Sequence, residues 1–370
     1  MDRKADLQAL IVNKSRRWQK LKEQQALKGI DTPAHVLIEL EDLAIEMDRL
    51  QAELIDLPAA FAAGIGQNEV NLPPLEPLAA AEAVNRLPLL KNGSRFMYRF
   101  TIEGFIGRGG FSDVYLAWDQ VKDEAVVVKR LPRPANQADF LNRFVEREIK
   151  IARRLAPLTI NGLVKTYEII QGDGEVCLVQ ERQPGRSLHQ RLRDKVLIDE
   201  TEAVETTIKV SQTLAELHRH NLVHGDIKPL NIVLRAPGQP LVIDLGAARF
   251  FNEALEAAQI VFSLPYAAPE LLTGQPVDGR VDIYALGLTL LHMLTGLPAF
   301  DDMDDTMPLP EHIRVGRRPN RQTIRQHITA ALVMVTSANL RRIIETAVAE
   351  LPADRYPAME IFGQALIAPS

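Results

Sequence analysis

The polar loop from His224 to Asn231 is the stretch that most constrains what this chain can fold into. Its sequence, His-Gly-Asp-Ile-Lys-Pro-Leu-Asn, separates Leu214–Val223, a partly apolar run that ends in Leu222-Val223, from the apolar run Ile232–Leu234. Apolar runs of this kind are typical of buried elements, and a loop between two of them sits on a rigid base. Asp226 and Asn231, five residues apart in the sequence, are therefore expected at fixed positions on one short loop.

A second polar loop follows a second predicted strand. Leu241–Ile243 is an apolar run typical of a buried strand, and Asp244 comes directly after it. Carboxylate and amide oxygens are the ligands that magnesium takes alongside nucleotide phosphates. Lys228 adds a positive charge to the first loop. Because phosphoryl transfer needs little beyond positioning and charge neutralisation, the two loops predict a site that acts on phosphates.

Composition excludes several classes of protein. At 370 residues, with 46% apolar and 25% charged residues, the chain is long enough for a large buried core. Its net charge of −5 argues against a general nucleic-acid binder, whose surface would be basic. The single cysteine, Cys177, lies in an apolar run, so we expect an unreactive thiol and a reducing compartment. No signal-type apolar core and no uncharged run of about 18 residues is present, so we expect a cytoplasmic protein without a membrane span.

Residues 1–57 predict a helical hairpin or coiled-coil module. Its two helices, 5–28 and 34–57, are joined by Gly29–Pro33, where glycine suits a helix end and Thr32 a helix start. Apolar residues recur in the second helix at alternating spacings of four and three, which is a heptad seam. The seam residues are Val36, Leu40, Leu43, Met47, Leu50 and Leu54.

Charge and energy bear on what this hairpin does. The first helix is mainly basic and the second mainly acidic, which favours an antiparallel pair. Burial of the six seam residues would stabilise the hairpin by roughly 9–18 kcal/mol. Ordering the hairpin costs on the order of 50–100 kcal/mol before hydrogen bonds offset it. The hairpin therefore needs another surface: the rest of its own chain, a partner protein or second copy, or a nucleic acid at the basic cluster around Trp18. Residues 58–95, rich in proline and alanine, predict a linker.

A glycine-rich turn follows the linker, between two predicted strands, Phe100–Ile106 and Val114–Trp118. Glycines in such a turn let backbone amides approach phosphates. A third predicted strand ends at Lys129, and Phe140–Leu155 predicts an amphipathic helix. A strand follows the turn, whereas the dinucleotide-binding motif would open a helix there.

Three later motifs complete a family resemblance. They are Ala268-Pro269-Glu270, Asp282 in Asp-Ile-Tyr-Ala-Leu-Gly, and Arg355 in Pro-Ala-Asp-Arg-Tyr. In this order the motifs of residues 96–366 resemble those of eukaryotic-like serine/threonine protein kinases of bacterial type. The resemblance implies an α+β, bilobal protein kinase fold, with a small β-rich N-lobe and a large helical C-lobe, preceded by the helical hairpin. The hairpin itself loosely resembles recruitment segments of bacterial signalling proteins.

The resemblance also implies the catalytic residues. Asp226 would orient the substrate hydroxyl, and Lys228 would steady the transferring phosphate. Asn231 and Asp244 would hold Mg²⁺, so that the γ-phosphate of ATP passes to serine or threonine hydroxyls of proteins, including this one. A lysine two residues after the aspartate favours serine and threonine over tyrosine by the same resemblance.

The nucleotide would be held mainly by Lys129, which the family places against the α- and β-phosphates. Glu148 is the expected ion-pair partner of this lysine, with Glu146 as the alternative. The other positions that the resemblance assigns to the nucleotide are Gly107, Gly109, Gly110 and Val114 at the glycine turn, and Glu181 and Gln183 in the hinge.

Several residues depart from the family pattern. Gly225 stands where most members carry an arginine that meets a phosphate on the segment after Asp244. Ser263 is the only serine or threonine in residues 245–267. We therefore hypothesise that the hairpin, rather than loop phosphorylation, controls activity. Two more departures lie in the expected adenine pocket. Val127 stands where the family usually has alanine, and Gln180 is an unusual polar residue at the gatekeeper-like position.

Two other functions remain open. A pseudokinase or scaffold would bind partners without turnover, although all five residues expected to act on ATP are present. Small-molecule phosphotransferases also contain His-Gly-Asp, but they lack the Ala-Pro-Glu motif and its arginine partner.

Overall fold

The structure is a computed structural model. It describes residues 14, 17, 33, 39, 43, 46, 87–109, 112–133, 140–172, 174–182, 184–194, 198–236, 238–253, 264–273, 276–297 and 321–367. The chain divides into two compact units, residues 1–71 with 321–336 and residues 72–320 with 337–370. Gly110, Gln183 and Ser263, like most of the predicted hairpin and linker, lie outside the described residues.

The larger unit begins with an antiparallel sheet of six strands. The strands are β1 Arg95–Phe96, β2 Phe100–Arg108, β3 Asp113–Asp119, β4 Glu124–Pro132, β5 Thr166–Gly172 and β6 Glu175–Glu181. Their spatial order is β1-β2-β3-β4-β6-β5. Buried and half-buried residues alternate along β3, as in a sheet with one covered face. The last seven residues of β4 are all buried, because β4 lies between β3 and β6 and is covered on both faces.

One helix, α1 Phe140–Leu155, lies between β4 and β5 in the chain and packs on this sheet. Its apolar face joins Leu131 of β4 and Leu178 of β6 in one buried cluster. A second cluster includes Phe100 and Tyr115 from β2 and β3. The sheet is therefore filled from both sides, and α1 is held against the strand that ends near Lys129.

The following part of the larger unit is mainly helical. Its helices are α2 Leu188–Arg193, α3 Glu200–Arg219, α4 Arg280–Thr295, α6 Ala338–Ala347 and α7 Met359–Ile367, while α5 Arg321–Met334 belongs to the smaller unit. Nearly every residue of α4 is buried, which is typical of a helix at the centre of a domain. It ends at Gly296, whose left-handed φ of 68° and N–H bond to the His292 carbonyl close the helix.

Short strands position the polar loops seen in the sequence. They are β7 Arg186–Ser187, β8 Leu222–Val223, β9 Ile232–Leu234, β10 Pro240–Val242 and β11 Arg249–Phe250. In space they pair as β10-β9-β7 and β11-β8. Because β9 and β10 form a hairpin, Asn231 at its start and Asp244 after its end are brought together. The Ile243 N–H donates to the Asn231 carbonyl at 2.9 Å.

The smaller unit is described at few positions outside α5. Lys14, Arg17, Glu39 and Glu46 are helical, and two ion pairs join them: Lys14 to Glu46 at 2.6 Å and Arg17 to Glu39 at 2.9 Å. The later basic residue pairs with the earlier acidic one, which is the order of an antiparallel pair. The full hairpin remains a prediction, because most of its residues lie outside the described part. Among the residues described, no helix has the length and apolar character to cross a membrane.

Candidate active site

Lys129, near the end of β4, lies at the centre of the site with its side chain 8% exposed. Its Nζ donates to Glu148 Oε1 at 2.6 Å and to Asp244 Oδ1 at 2.7 Å. Glu148 is therefore the partner present, while Glu146 pairs with Arg133 at the surface. One lysine thus joins the sheet, α1 and the loop after β10.

The charges of this cluster have physical causes. Burial alone would lower the pKa of Lys129, but Asp244 and Glu148 outweigh it and raise the pKa above its usual range. Burial raises the pKa of Glu148 in spite of the lysine. Desolvation by the neighbouring groups also acts to raise the pKa of Asp244, but Lys129 outweighs it and holds that pKa well below its usual range. Asp244 is therefore ionised, as a metal ligand must be.

The loop after β8 brings three predicted catalytic side chains together. Lys228 Nζ lies 3.1 Å from Asp226 Oδ2. The Asn231 amide nitrogen donates to the Asp226 carbonyl at 2.8 Å and to Asp226 Oδ2 at 3.0 Å. The Asp226 carboxylate is thus fixed by a cation and an amide on a loop whose residues are mostly buried.

Asp282 of α4 binds the backbone of this loop. Its Oδ2 accepts from the His224 N–H and its Oδ1 from the Gly225 N–H, both at 2.8 Å. The same carboxylate bonds His218 Nε2 at 2.8 Å. Gly225 has a φ of 77°, and an added Cβ would lie 2.8 Å from the Ala247 carbonyl oxygen, so a side chain would be strained there. Asp282 thus braces the backbone of the loop from His224 to Asn231.

The glycine turn joins β2 and β3 as the sequence predicts. Gly107 pairs with Val114 across the two strands, and Val114 pairs in turn with Lys129. The Gly109 N–H donates to the Ser112 carbonyl at 2.8 Å, which closes the turn. A bidentate ion pair between Arg108 and Asp113, at 2.6 and 2.9 Å, fixes the strands at its base. Val114 therefore lies beside the lysine on the neighbouring strand, and Gly107 lies one strand further away.

The expected hinge begins at the end of β6. Glu181 pairs with Val126 of β4, and its carboxylate lies 3.3 Å from Arg235. Gln180 pairs with Val127, and its amide donates to Thr166 Oγ1 at 3.2 Å. The polar side chain at this unusual position is therefore engaged by β5. Gln183 lies outside the described residues.

The residues present fit a magnesium ion. The amide nitrogen of Asn231 faces Asp226, which leaves its amide oxygen on the other side, and the side chain of Asp244 is 46% exposed. Two hard oxygen donors of this kind suit Mg²⁺. Across the described ranges no group of three or more His, Cys, Asp or Glu side chains could hold a metal alone. The ion would therefore need nucleotide phosphates as further ligands.

The expected pair of Glu270 and Arg355 is also present. Arg355 Nη1 and Nη2 lie 2.6 and 2.8 Å from the two carboxylate oxygens, and the arginine side chain is fully buried. Its other donors bond the carbonyls of Ala349, Arg280 and Glu350. Sequence reasoning missed two further arginines near the site, Arg147 and Arg249. Arg249 follows an Ala-Ala pair after the Asp-Leu-Gly motif, and nothing in its sequence pattern distinguishes it from a surface residue.

Comparison with known proteins agrees with this geometry. Residues 100–367 match the family described as the protein kinase domain, so the chain belongs to the protein kinase family. It is 31% identical over 264 residues to "Probable serine/threonine-protein kinase PknB" of Corynebacterium glutamicum, covering 70% of this chain and 40% of that one. It is 32% identical over 212 residues to the serine/threonine-protein kinase PrkC of Bacillus subtilis, covering 56% and 32%.

A solved structure shares the fold. The crystal structure of the PF14_0431 kinase domain matches with a TM-score of 0.61 and 17% identity, over 75% of this chain and 98% of that one. The kinase fold and the resemblance to bacterial serine/threonine kinases, both predicted from sequence, are thereby confirmed. The chain spans at most about two fifths of the length of the two curated relatives named above.

Proposed function

We propose that this chain is a serine/threonine protein kinase that uses ATP and Mg²⁺ to phosphorylate protein substrates, itself included. The observation that carries the proposal is the bridge from Lys129 to Glu148 and Asp244. A buried lysine held by two carboxylates is pre-oriented, so it need not be ordered when the nucleotide arrives. This geometry favours a working enzyme over a scaffold that has lost catalysis.

The residues of the loop after β8 act on the substrate hydroxyl. Asp226, fixed by Lys228 and Asn231, accepts or orients the hydroxyl proton as the oxygen attacks the γ-phosphate. Lys228 is close enough to steady the transferring phosphate as its charge develops. Asn231 and Asp244 would hold the ion, which supplies charge neutralisation to the nucleotide phosphates when bound. Lys129 and the glycine turn would bind those phosphates, and the hinge that begins at Glu181 would bind adenine.

The pair of Glu270 and Arg355 supports a protein acceptor over a small molecule. Small-molecule phosphotransferases lack this motif, whereas here it is bidentate and buried. The relatives named above are called serine/threonine-protein kinases, which supports hydroxyl acceptors on proteins. The family resemblance adds that a lysine two residues after the aspartate, here Lys228 after Asp226, favours serine and threonine as acceptors.

Control of activity is assigned to residues 1–57, acting within the chain, on a second copy or through a partner protein. Gly225 supports this proposal, because it stands where most members of the family have an arginine that binds a phosphate on the segment after Asp244. A catalytic loop without this arginine is called non-RD. The end of the linker offers a route: the Pro88 carbonyl accepts from Arg130 at 3.1 Å, and the Leu90 N–H donates to Tyr115 at 3.2 Å. Arg130 directly follows Lys129. A movement of the linker would therefore be transmitted to the strand that carries this lysine.

Two variants test the activity by separating binding from transfer. We expect Asp226→Asn to bind Mg-ATP normally but to lose transfer to a protein acceptor by about 10²-fold or more. We expect Lys129→Met to weaken ATP binding as well. Full transfer by Asp226→Asn would contradict the assignment. Wild-type protein that binds Mg-ATP without transferring phosphate, alone or with residues 1–57 removed, would favour the scaffold.

A further inference from the structure

Helix α5 carries a buried apolar stripe. Its members follow one another at helical spacing and are each at most 8% exposed: Ile328, Ala331, Leu332 and, directly after the helix, Val335. Thr329 lies off this stripe and is exposed. Within the described ranges, no helix or strand of the larger unit packs extensively along α5. The cover of the stripe therefore has to come from another part of the chain.

The smaller unit supplies a candidate for this cover. Residues 1–71 and 321–336 form one compact unit although they are far apart in the sequence. Leu43, one of the six seam residues of the second hairpin helix, is helical and only 9% exposed. An apolar residue of the hairpin and the stripe of α5 are thus both buried in this unit.

The second hairpin helix has more apolar residues than one seam requires. Outside the seam, apolar residues recur every seven positions in two neighbouring rows, Ile38, Ile45 and Ala52 in one row and Leu37 and Ala44 in the other. A helix that is apolar on more than one side packs between partners. The first hairpin helix covers the seam, so the second strip calls for a third helix.

Charge makes α5 a complementary partner for this strip. Residues 312–344, which include α5, contain seven arginines and no aspartate or glutamate. Residues 34–57 contain seven acidic residues and a single arginine. Two of these acids, Glu46 and Glu39, pair with Lys14 and Arg17 of the first hairpin helix at 2.6 and 2.9 Å. Opposite charge on two apolar surfaces favours their association and sets their specificity.

We propose that residues 34–57 dock on the apolar stripe of α5 within the same chain, so that the two hairpin helices and α5 form a three-helix core. This docking supplies the further surface that the hairpin needs for stability. Because α5 lies within residues 100–367, which match the protein kinase domain, it also attaches the hairpin directly to that domain. Control of activity through this contact rests on the proposed kinase function, whereas the docking itself does not.

Amide hydrogen exchange of the full chain tests the docking, because each surface should protect the other. Leu332→Asp places a charge in the stripe and should speed exchange in residues 34–57 by about tenfold or more. Ile45→Asp should do the same to residues 321–336, while α4 keeps the exchange of the wild type. Thr329→Asp, at an exposed position of α5, is the matched control and should exchange like the wild type.

The two responses have to be reciprocal. If either one is missing in a folded variant, the proposal is overturned. If Leu332→Asp does not fold, the effect of Ile45→Asp on α5 decides alone. Protection within one chain should not depend on protein concentration. Protection of α5 that grows with concentration would show that a second copy supplies the hairpin, and would overturn docking within the chain.

Phosphoryl transfer separates failure of the docking from failure of the proposed function. Leu332→Asp and Ile45→Asp release the same contact, so they should change the transfer rate in the same direction and by a similar factor, whereas Thr329→Asp should not change it. Reciprocal exchange effects with unchanged transfer would exclude control through this contact. Reciprocal effects in a chain that never transfers phosphate would keep the docking and reject the proposed function. Transfer by the wild type without reciprocal effects would reject the docking alone.

Discussion

Replacing Glu148 by glutamine tests the central ion pair. The change removes one charge-assisted hydrogen bond of 2.6 Å to Lys129, which is worth about 1.5–3 kcal/mol. The loss stays below the 3–5 kcal/mol typical of a broken buried pair, because Lys129 keeps Asp244 at 2.7 Å. The rate of phosphoryl transfer should fall by about 10²-fold, because Lys129 loses one of the two carboxylates that orient it.

The matched control lies two residues earlier on α1. Glu146 pairs with Arg133 but its side chain is 53% exposed, so Glu146→Gln should change stability by about 0–1 kcal/mol and leave transfer intact. Urea unfolding and transfer to a protein acceptor are measured on both variants. The reasoning is refuted if Glu148→Gln matches the wild type in both assays, or if Glu146→Gln loses as much activity.

Three further predictions concern other contacts. Asp282→Asn should cost about 3 kcal/mol or more at neutral pH. Burial would raise the pKa of Asp282, but His218 and the Gly225 N–H outweigh it and lower that pKa. The contribution of Asp282 to the free energy of unfolding is therefore present above about pH 4 and is lost as the pH falls further. Unfolding of the variant should therefore depend less on pH below 4, and an unchanged acid profile would count against the bracing role. Arg355→Met should destabilise by about 3–5 kcal/mol, measured by urea unfolding, because Glu270 keeps a buried charge without its partner; a variant as stable as the wild type would contradict this. Deleting residues 1–57 should change transfer rate or oligomeric state, whereas a deletion that alters neither would exclude control by the hairpin.

Much of the fold could be predicted because its elements have local signals. The amphipathic helix Phe140–Leu155 has the predicted bounds, and the strands on either side of the glycine turn pair as expected. Lys129 and Glu148 could be paired from sequence, because the family order places both. The hairpin carried a heptad seam, yet which surface it covers depends on contacts that a periodic pattern does not encode.

The buried arginines could not be predicted for a physical reason. Arg249 has the sequence character of a solvated cation, and only the fold places it under Gly225. His218 likewise gains its role from Asp282, sixty-four residues later. An added Cβ at Gly279 would lie 2.4 Å from His218 Nδ1, so this glycine makes room for the ring. Such requirements arise between distant segments and leave no local spacing to read.

The most direct test of the account is intact mass and phosphopeptide mapping after incubation with Mg-ATP, with Asp226→Asn beside the wild type. The account predicts phosphate on serines or threonines of the wild type alone, and sites within residues 1–94 would tie the hairpin and linker to control. Equal phosphorylation of Asp226→Asn, or phosphate confined to tyrosine, would contradict it.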